Sequence, residues 1–259
     1  MDPLRISRRV TTGLLAIMDQ KNHLSYPALT RPGLDREQLL VHFRHEYLVY
    51  VRDFPVLIAR VLAQVPDVQD VRFKLAENIY EEQTGGVSKT APHPELFLRM
   101  MEGLGFSREA FADDDAWLHP AALEYRDFLR TRSGIEPWQA ACALLTIFVE
   151  GSVHERLELT GVRVRQESEK DVHEHPLVKH YGCPPEAMEL RRAHARVEGD
   201  HREDAWNTVL EHVGDEGPVF DEVLIRCSTA LRLWQAYRTG VAERMKLTCQ
   251  DDEWLEDLI

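Results

Sequence analysis

The stretch LRRAHARVEGDHREDAW (190–206) sets His194, Glu198 and His201 at spacings of four and three residues within a strongly helical pattern. A helix places those three side chains on one face. A solvated face tolerates the arrangement by chance, whereas a metal ion requires it. Glu150 ends the run Ala140–Val149, in which Thr146 is the only polar residue. A carboxylate at the end of a core helix either caps the run and faces water beside Arg156, or is compensated by a cation inside the protein, because an unpaired buried charge is costly. In NIYEEQTGGVSKTAPHPELF (78–97), Glu81 and Glu82 fall at a helix C-terminus, where the helix dipole disfavours negative charge, and His93 opens the next helix. These three are either surface residues or groups that face something positive. His154, four residues after Glu150, competes for any metal role. His173, His175 and His180 read as surface residues, and His42 and His45 as structural or pocket-lining ones.

Three carboxylates and three histidines thus arise on three helical regions. Oxygen and imidazole donors without thiolate suit iron or manganese better than structural zinc, and two divalent cations would nearly neutralise three buried acids. Glu198-Gly-Asp-His201 is the only Glu-x-x-His in the chain, so the ferritin-like pattern, with one such motif on each of two helices, is not met. Nucleophile-elbow, Walker, dinucleotide-binding and His-Glu-x-x-His motifs are all lacking.

The elements that must position these groups read as helices nearly throughout. Residues 36–65 carry apolar side chains at three- and four-residue intervals, with a kink expected at Pro55. Helices follow over 70–83, stopped by Thr84, Gly85 and Gly86, and over 93–105, 119–134, 136–159 and 184–214. A last helix carries Phe220, Val223, Leu224, Cys227, Ala230, Leu231, Trp234 and Tyr237 on one stripe. Segment 161–183 reads as loop with one short helix. No segment alternates with period two, so the expectation is an all-α, single-domain bundle of seven to eight helices spanning 1–259.

With 259 residues, 44% hydrophobic and 29% charged, the chain is long enough for an ample core. Its net charge of −13 argues against nucleic-acid or anionic-membrane partners. The basic residues near the N-terminus precede an apolar stretch too short for a signal peptide, and no run is long enough to span a bilayer. Cys142, Cys183, Cys227 and Cys249 form no Cys-x-x-Cys pair, which suits a reducing cytoplasm. The tail CQDDEWLEDLI (249–259), alternating acidic and apolar residues, is either a frayed terminus or a docking element.

Over roughly residues 10–240 the chain resembles the haem-oxygenase-like di-iron oxidases and oxygenases. That group includes the chlamydial protein associating with death domains and, more widely, pyrroloquinoline-quinone synthase C and thiaminase II. GLDREQLLVHFRHEYLVYVRDFPVLIARV resembles the family's second helix with its Phe-Pro kink. ENIYEEQTGG followed by HPELFLRMMEGLG resembles its Asn-Leu-x-Asp-Glu and His segment, and His194-x3-Glu198-x2-His201 its His-x3-Asp/Glu-x2-His. Setting Asn78 on the family's asparagine assigns the ligand to Glu82, with Glu81 and His154 as substitutes of lower rank. The resemblance implies a metal-binding set of Glu82, His93, Glu150, His194, Glu198 and His201. It also implies two irons, or one iron and one manganese, that activate O2. The implied partners are a small polar substrate such as an amino acid or amine, an external electron donor, and a possible second copy of the chain. Known outcomes in the group include oxidative C–C cleavage, N-oxygenation and p-aminobenzoate formation from a tyrosine of the chain itself. Tyr26 falls where that tyrosine lies, but His42 stands at a second tyrosine position and HERLELTGV (154–162) lacks the nitrogen-donating lysine. The alternatives are a metal-free oxidase of the quinone-synthase kind and a protein-interaction module.

Overall fold

The computed structural model describes residues 7–23, 25–162 and 169–247; the side chains of Tyr26, Pro27, Glu169, Lys170 and residues 198–201 lie outside that description. The described residues contain helices and no strand, as the absence of period-two patterning predicts. They fold into thirteen α-helical segments, more than the seven to eight expected, because several long helical patterns are interrupted in space.

The first four segments are α1 (Arg9–Met18), α2 (Ser25–Thr30), α3 (Arg36–Glu46) and α4 (Phe54–Leu62). The side chain of Asp35 accepts from the backbone of Gln38 and the Gln38 side chain accepts from the backbone of Asp35, a reciprocal cap that starts α3. A wide π-type segment, Tyr47–Val51, continues α3, and the chain breaks at Arg52 and Asp53 before Pro55 in the first turn of α4. The expected kink at Pro55 is therefore a full break, since proline lacks the N–H an uninterrupted helix needs.

Next come α5 (Gln69–Thr84), α6 (His93–Gly103) and α7 (Pro120–Arg132). Gly85 terminates α5 in the left-handed conformation (φ 64°), donating its N–H to Glu81 O. The remainder are α8 (Trp138–Cys142), α9 (Glu155–Leu159), α10 (Glu169–Glu174), α11 (Pro176–Lys179), α12 (Glu189–His212) and α13 (Pro218–Arg244). A second π-type segment, Ala143–Val149, continues α8. The single helix expected over 136–159 is thus two: helix ends at Val149, and His154 stands just before α9. Gly151 explains the break, because a Cβ there would stand 2.2 Å from Ile147 O, with Met18 and Arg202 also in the way.

Two apolar clusters fill the interior. The larger gathers side chains of α1, α4, α5, α7, α8, α13 and the second half of α12. The smaller gathers α3, α6, the 106–118 connection and the start of α12. α12 therefore crosses from one cluster to the other, and the stretch carrying His194 lies at the crossing. α13 packs on α7, α8, α1 and the second π-type segment. Cys142, Cys183 and Cys227 are buried free thiols, as their scatter in the sequence predicts. No described helix is long and apolar enough to cross a membrane.

Candidate metal centre

α5 delivers Glu81 and Glu82 to its last turn, the 85–92 loop reverses the chain, and His93 returns as the first residue of α6. Glu82 Oε1 lies 2.9 Å from His93 Nδ1. The His194 ring, brought in by α12, meets the His93 ring edge-on at a centroid separation of 4.9 Å. One ligand atom from each of Glu82, His93 and His194 falls within 4.8 Å of the others. His93 is 3% exposed, and its Nδ1 is buried with no hydrogen-bond partner of acceptable geometry. A buried nitrogen close to a carboxylate, but not aligned to bond it, is placed as two donors to one cation are. The set of one carboxylate and two imidazoles suits iron or manganese.

Glu81 occupies a different place. It is fully buried, its Oε1 lies 3.0 Å from His93 Nε2, and its Oε2 accepts from the N–H groups of Val87 (2.8 Å) and Ser88 (2.9 Å). Burial pushes its carboxyl upward, but the hydrogen bonds from Ser88, His93 and Val87 outweigh it and hold the pKa below the usual value. Burial likewise opposes charge on His93, yet Glu82 and then Glu81 raise its pKa above 6.5. The two acids that the helix dipole disfavours thus face the loop amides and an imidazole.

Glu150 is half-buried at the end of the second π-type segment. Asn78 Nδ2 donates to Glu150 Oε1 at 3.2 Å. Asn78 stands one turn before Glu82 on α5, so this bond draws Glu150 to the face carrying Glu82. Glu150 is not in the mutual 4.8 Å group. Lys21 fastens the same backbone: its Nζ donates to the carbonyls of Phe148, Val149 (3.1 Å) and Gly151 (2.7 Å) and lies 4.9 Å from the Phe148 ring centre.

Of the expected ligands, then, Glu82, His93 and His194 meet, and Glu150 is hydrogen-bonded to Asn78, one turn before Glu82 on α5. Glu198 and His201 lie on α12, four and seven residues beyond His194, with side chains outside the description, as is that of Tyr26 on α2. His154 does not share a helix face with Glu150, because the helix on which that reading relied ends at Val149. Asp70, Glu211 and His212 form a second group of ligand types at the surface, where acidic side chains commonly stand without a metal. A small cleft of about 30 Å³, partly open to solvent, lies between α5, α8 and α12; Asn78, Cys142, Thr146 and Thr208 line it. The Lys74–Asp204 ion pair (3.1 Å) also lies there, joining the helices that carry Glu82 and His194.

Sequence reasoning passes over a second buried polar group. Arg238 and Glu46 form an ion pair with Arg238 wholly enclosed. Arg238 also donates to Ser25 Oγ (2.8 and 3.1 Å) and His42 Nδ1 (2.9 Å), and Glu46 accepts from Tyr50 and from Tyr237 (3.3 Å). Burial raises the Glu46 pKa, with Arg238 opposing. The sequence signal was there: Arg238 lies four residues after Trp234, on the apolar stripe of the last helix.

Residues 41–235 match the model of a family described as iron-containing redox enzymes. The chain belongs to that family. No curated protein matches the chain. Among solved structures, a TenA homologue from Pseudomonas syringae pv. tomato strain DC3000 superposes with a TM-score of 0.68 at 15% identity, covering 94% of this chain and 98% of its own. A domain of unknown function with a heme oxygenase-like fold, from Shewanella denitrificans OS217, gives 0.63 at 16% identity, covering 95% and 94%. At such identities these likenesses speak to fold, and the fold is haem-oxygenase-like, as the sequence resemblance implies.

Proposed function

We propose that this iron-containing redox enzyme is a dinuclear iron, or iron–manganese, oxygenase or oxidase. Its co-substrate is O2, and its substrate a small polar metabolite such as an amino acid or amine. The observation that carries the reading is His93 Nδ1, buried and without a hydrogen-bond partner, facing Glu82 and His194 in a member of an iron-containing family. Glu82, His93 and His194 hold one metal; Glu150, held by Asn78, with Glu198 and His201, completes the set for two. Bound iron supplies the one-electron redox chemistry and O2 activation that protein side chains lack.

The chain's own residues orient and enclose. Glu81 and the loop amides fix the His93 ring, and Asn78 and Lys21 set Glu150. Electrons come from an external donor, and the enzyme works in the cytoplasm as a single domain. Metal analysis after anaerobic reconstitution with Fe(II) tests this: about two equivalents per chain are expected. His93→Ala and Glu150→Ala should each lower that stoichiometry while leaving far-UV helicity intact. Wild-type protein that takes up no iron would sink the proposal, and turnover insensitive to a chelator would favour a metal-free pocket in the same fold.

A further inference from the structure

We infer that Glu81 is a positioning residue that sets the tautomer of His93, directing the bare Nδ1 lone pair toward Glu82 and His194. The inference rests on reading those three as metal ligands. An ionised carboxylate only accepts hydrogen bonds. Glu81 Oε2 is occupied by two backbone donors, Val87 N–H and Ser88 N–H, and Oε1 stands 3.0 Å from His93 Nε2. Glu81 is wholly enclosed, and besides the loop donors Val87 and Ser88 the hydrogen bond it takes is the one from Nε2, which therefore carries the hydrogen. A neutral imidazole carries one N–H, so Nδ1 is then a lone pair. That lone pair lies 2.9 Å from Glu82 Oε1 without a hydrogen bond between them. Two electron-rich atoms held so close call for positive charge between them, which a cation supplies in the loaded site and a second ring proton in the metal-free one, as the raised His93 pKa shows. Carboxylates commonly hold metal-binding histidines through the second ring nitrogen, fixing tautomer and ring direction.

The loop is built for this. Left-handed Gly85 turns the chain sharply, and a Cβ there would stand 2.5 Å from Ala91 O. The turn folds the amides of Val87 and Ser88 back over the last turn of α5, onto Glu81. Arg196 Nη1 donates to Ser88 O at 3.0 Å, tying the same loop to α12 two residues beyond His194. Glu81 thereby couples the loop, the His93 ring and the third ligand-bearing helix.

The isosteric variant Glu81→Gln separates this role from mere filling of space. An amide has one acceptor and one donor group. If its oxygen keeps the loop N–H groups, its NH2 faces Nε2, which must become an acceptor, and the ring proton moves to Nδ1. If the amide turns over, its NH2 confronts two N–H donors.

The test is a ring-nitrogen NMR spectrum of metal-free protein labelled with 15N-histidine, at alkaline pH where the ring is neutral. The second readout is Zn(II) and Fe(II) affinity. Wild-type His93 should carry its proton on Nε2, and Glu81→Gln should carry it on Nδ1. The variant should bind metal about tenfold to a hundredfold more weakly with far-UV helicity retained. Glu82→Gln should weaken metal binding while leaving the proton on Nε2. A wild-type spectrum with the proton on Nδ1 overturns the inference, even if the Gln variant fails to fold. So does a Glu81→Gln protein that keeps the Nε2–H form. The expected proton positions together with no iron uptake would support the tautomer assignment and overturn the metal reading alone.

Discussion

At the scale of single residues, buried His45 carries a pH dependence of defined sign. His45 is wholly enclosed, with Nδ1 at 2.6 Å from Val41 O and Nε2 accepting the His119 backbone N–H at 3.2 Å. A second ring proton would meet that N–H, and burial, with Arg244 and Arg238 nearby, lowers the His45 pKa from 6.5 to about 4. The unfolded chain therefore takes up this proton first as pH falls. The stability contributed by neutral His45, roughly 3 kcal/mol, is present above pH 6.5 and lost progressively down to pH 4. Half-buried His23, also lowered to about 4 by burial and Arg238, adds in the same direction, as does His42. Urea midpoints measured from pH 7 to pH 4 should fall, and His45→Asn should flatten the slope. A midpoint independent of pH across that window would contradict the assignment.

At the scale of elements, the second π-type segment and its abrupt end decide where Glu150 stands. π turns are rare and tend to occur at functional positions, and this one leaves terminal carbonyls that Lys21 satisfies. Lys21→Met should lower stability by about 2 kcal/mol, read as a shift in denaturant midpoint, because charged donors are lost to carbonyls. It should also loosen Glu150 and reduce retained iron. Gly151→Ala should cost about 3 kcal/mol or displace Glu150, since Ile147 O is backbone and cannot give way to the new methyl. A Gly151→Ala protein as stable as wild type and equally metal-loaded would refute that account of the break.

At the scale of the whole molecule, the Arg238–Glu46 pair links α13 to the junction of α3 and its π-type continuation, while Ser25 brings in α2. Removing one member of such a pair leaves the other charge buried. Glu46→Ala should therefore destabilise the fold by about 3–5 kcal/mol, and more than the paired Glu46→Leu/Arg238→Met variant, measured by thermal unfolding. If the single variant is no worse than the double one, the two charges are not coupled in the folded protein.

How much of this was legible beforehand follows from what each signal reports. Helical periodicity and the absence of period-two runs are local properties, so the all-α class and most helix positions could be read directly, Gly85 as the stop of α5 included. Ligand types are likewise written in the chain: carboxylates and imidazoles at helix termini and on one helix face suit a cation or a solvated surface alike, and spacing alone does not choose between them. The break after Val149 was not legible, because Gly151 forbids a side chain only through contacts with Ile147, Met18 and Arg202, two of them far away in sequence. The choice of Glu82 over adjacent Glu81 came from the family resemblance and not from spacing. Both fit any spacing rule, and the returning loop, which spends the Val87 and Ser88 amides on Glu81 and leaves Glu82 facing His93 Nδ1, separates their roles. Local sequence fixes which groups exist and how the backbone coils; convergence of those groups in space depends on packing between distant segments, which no single stretch encodes.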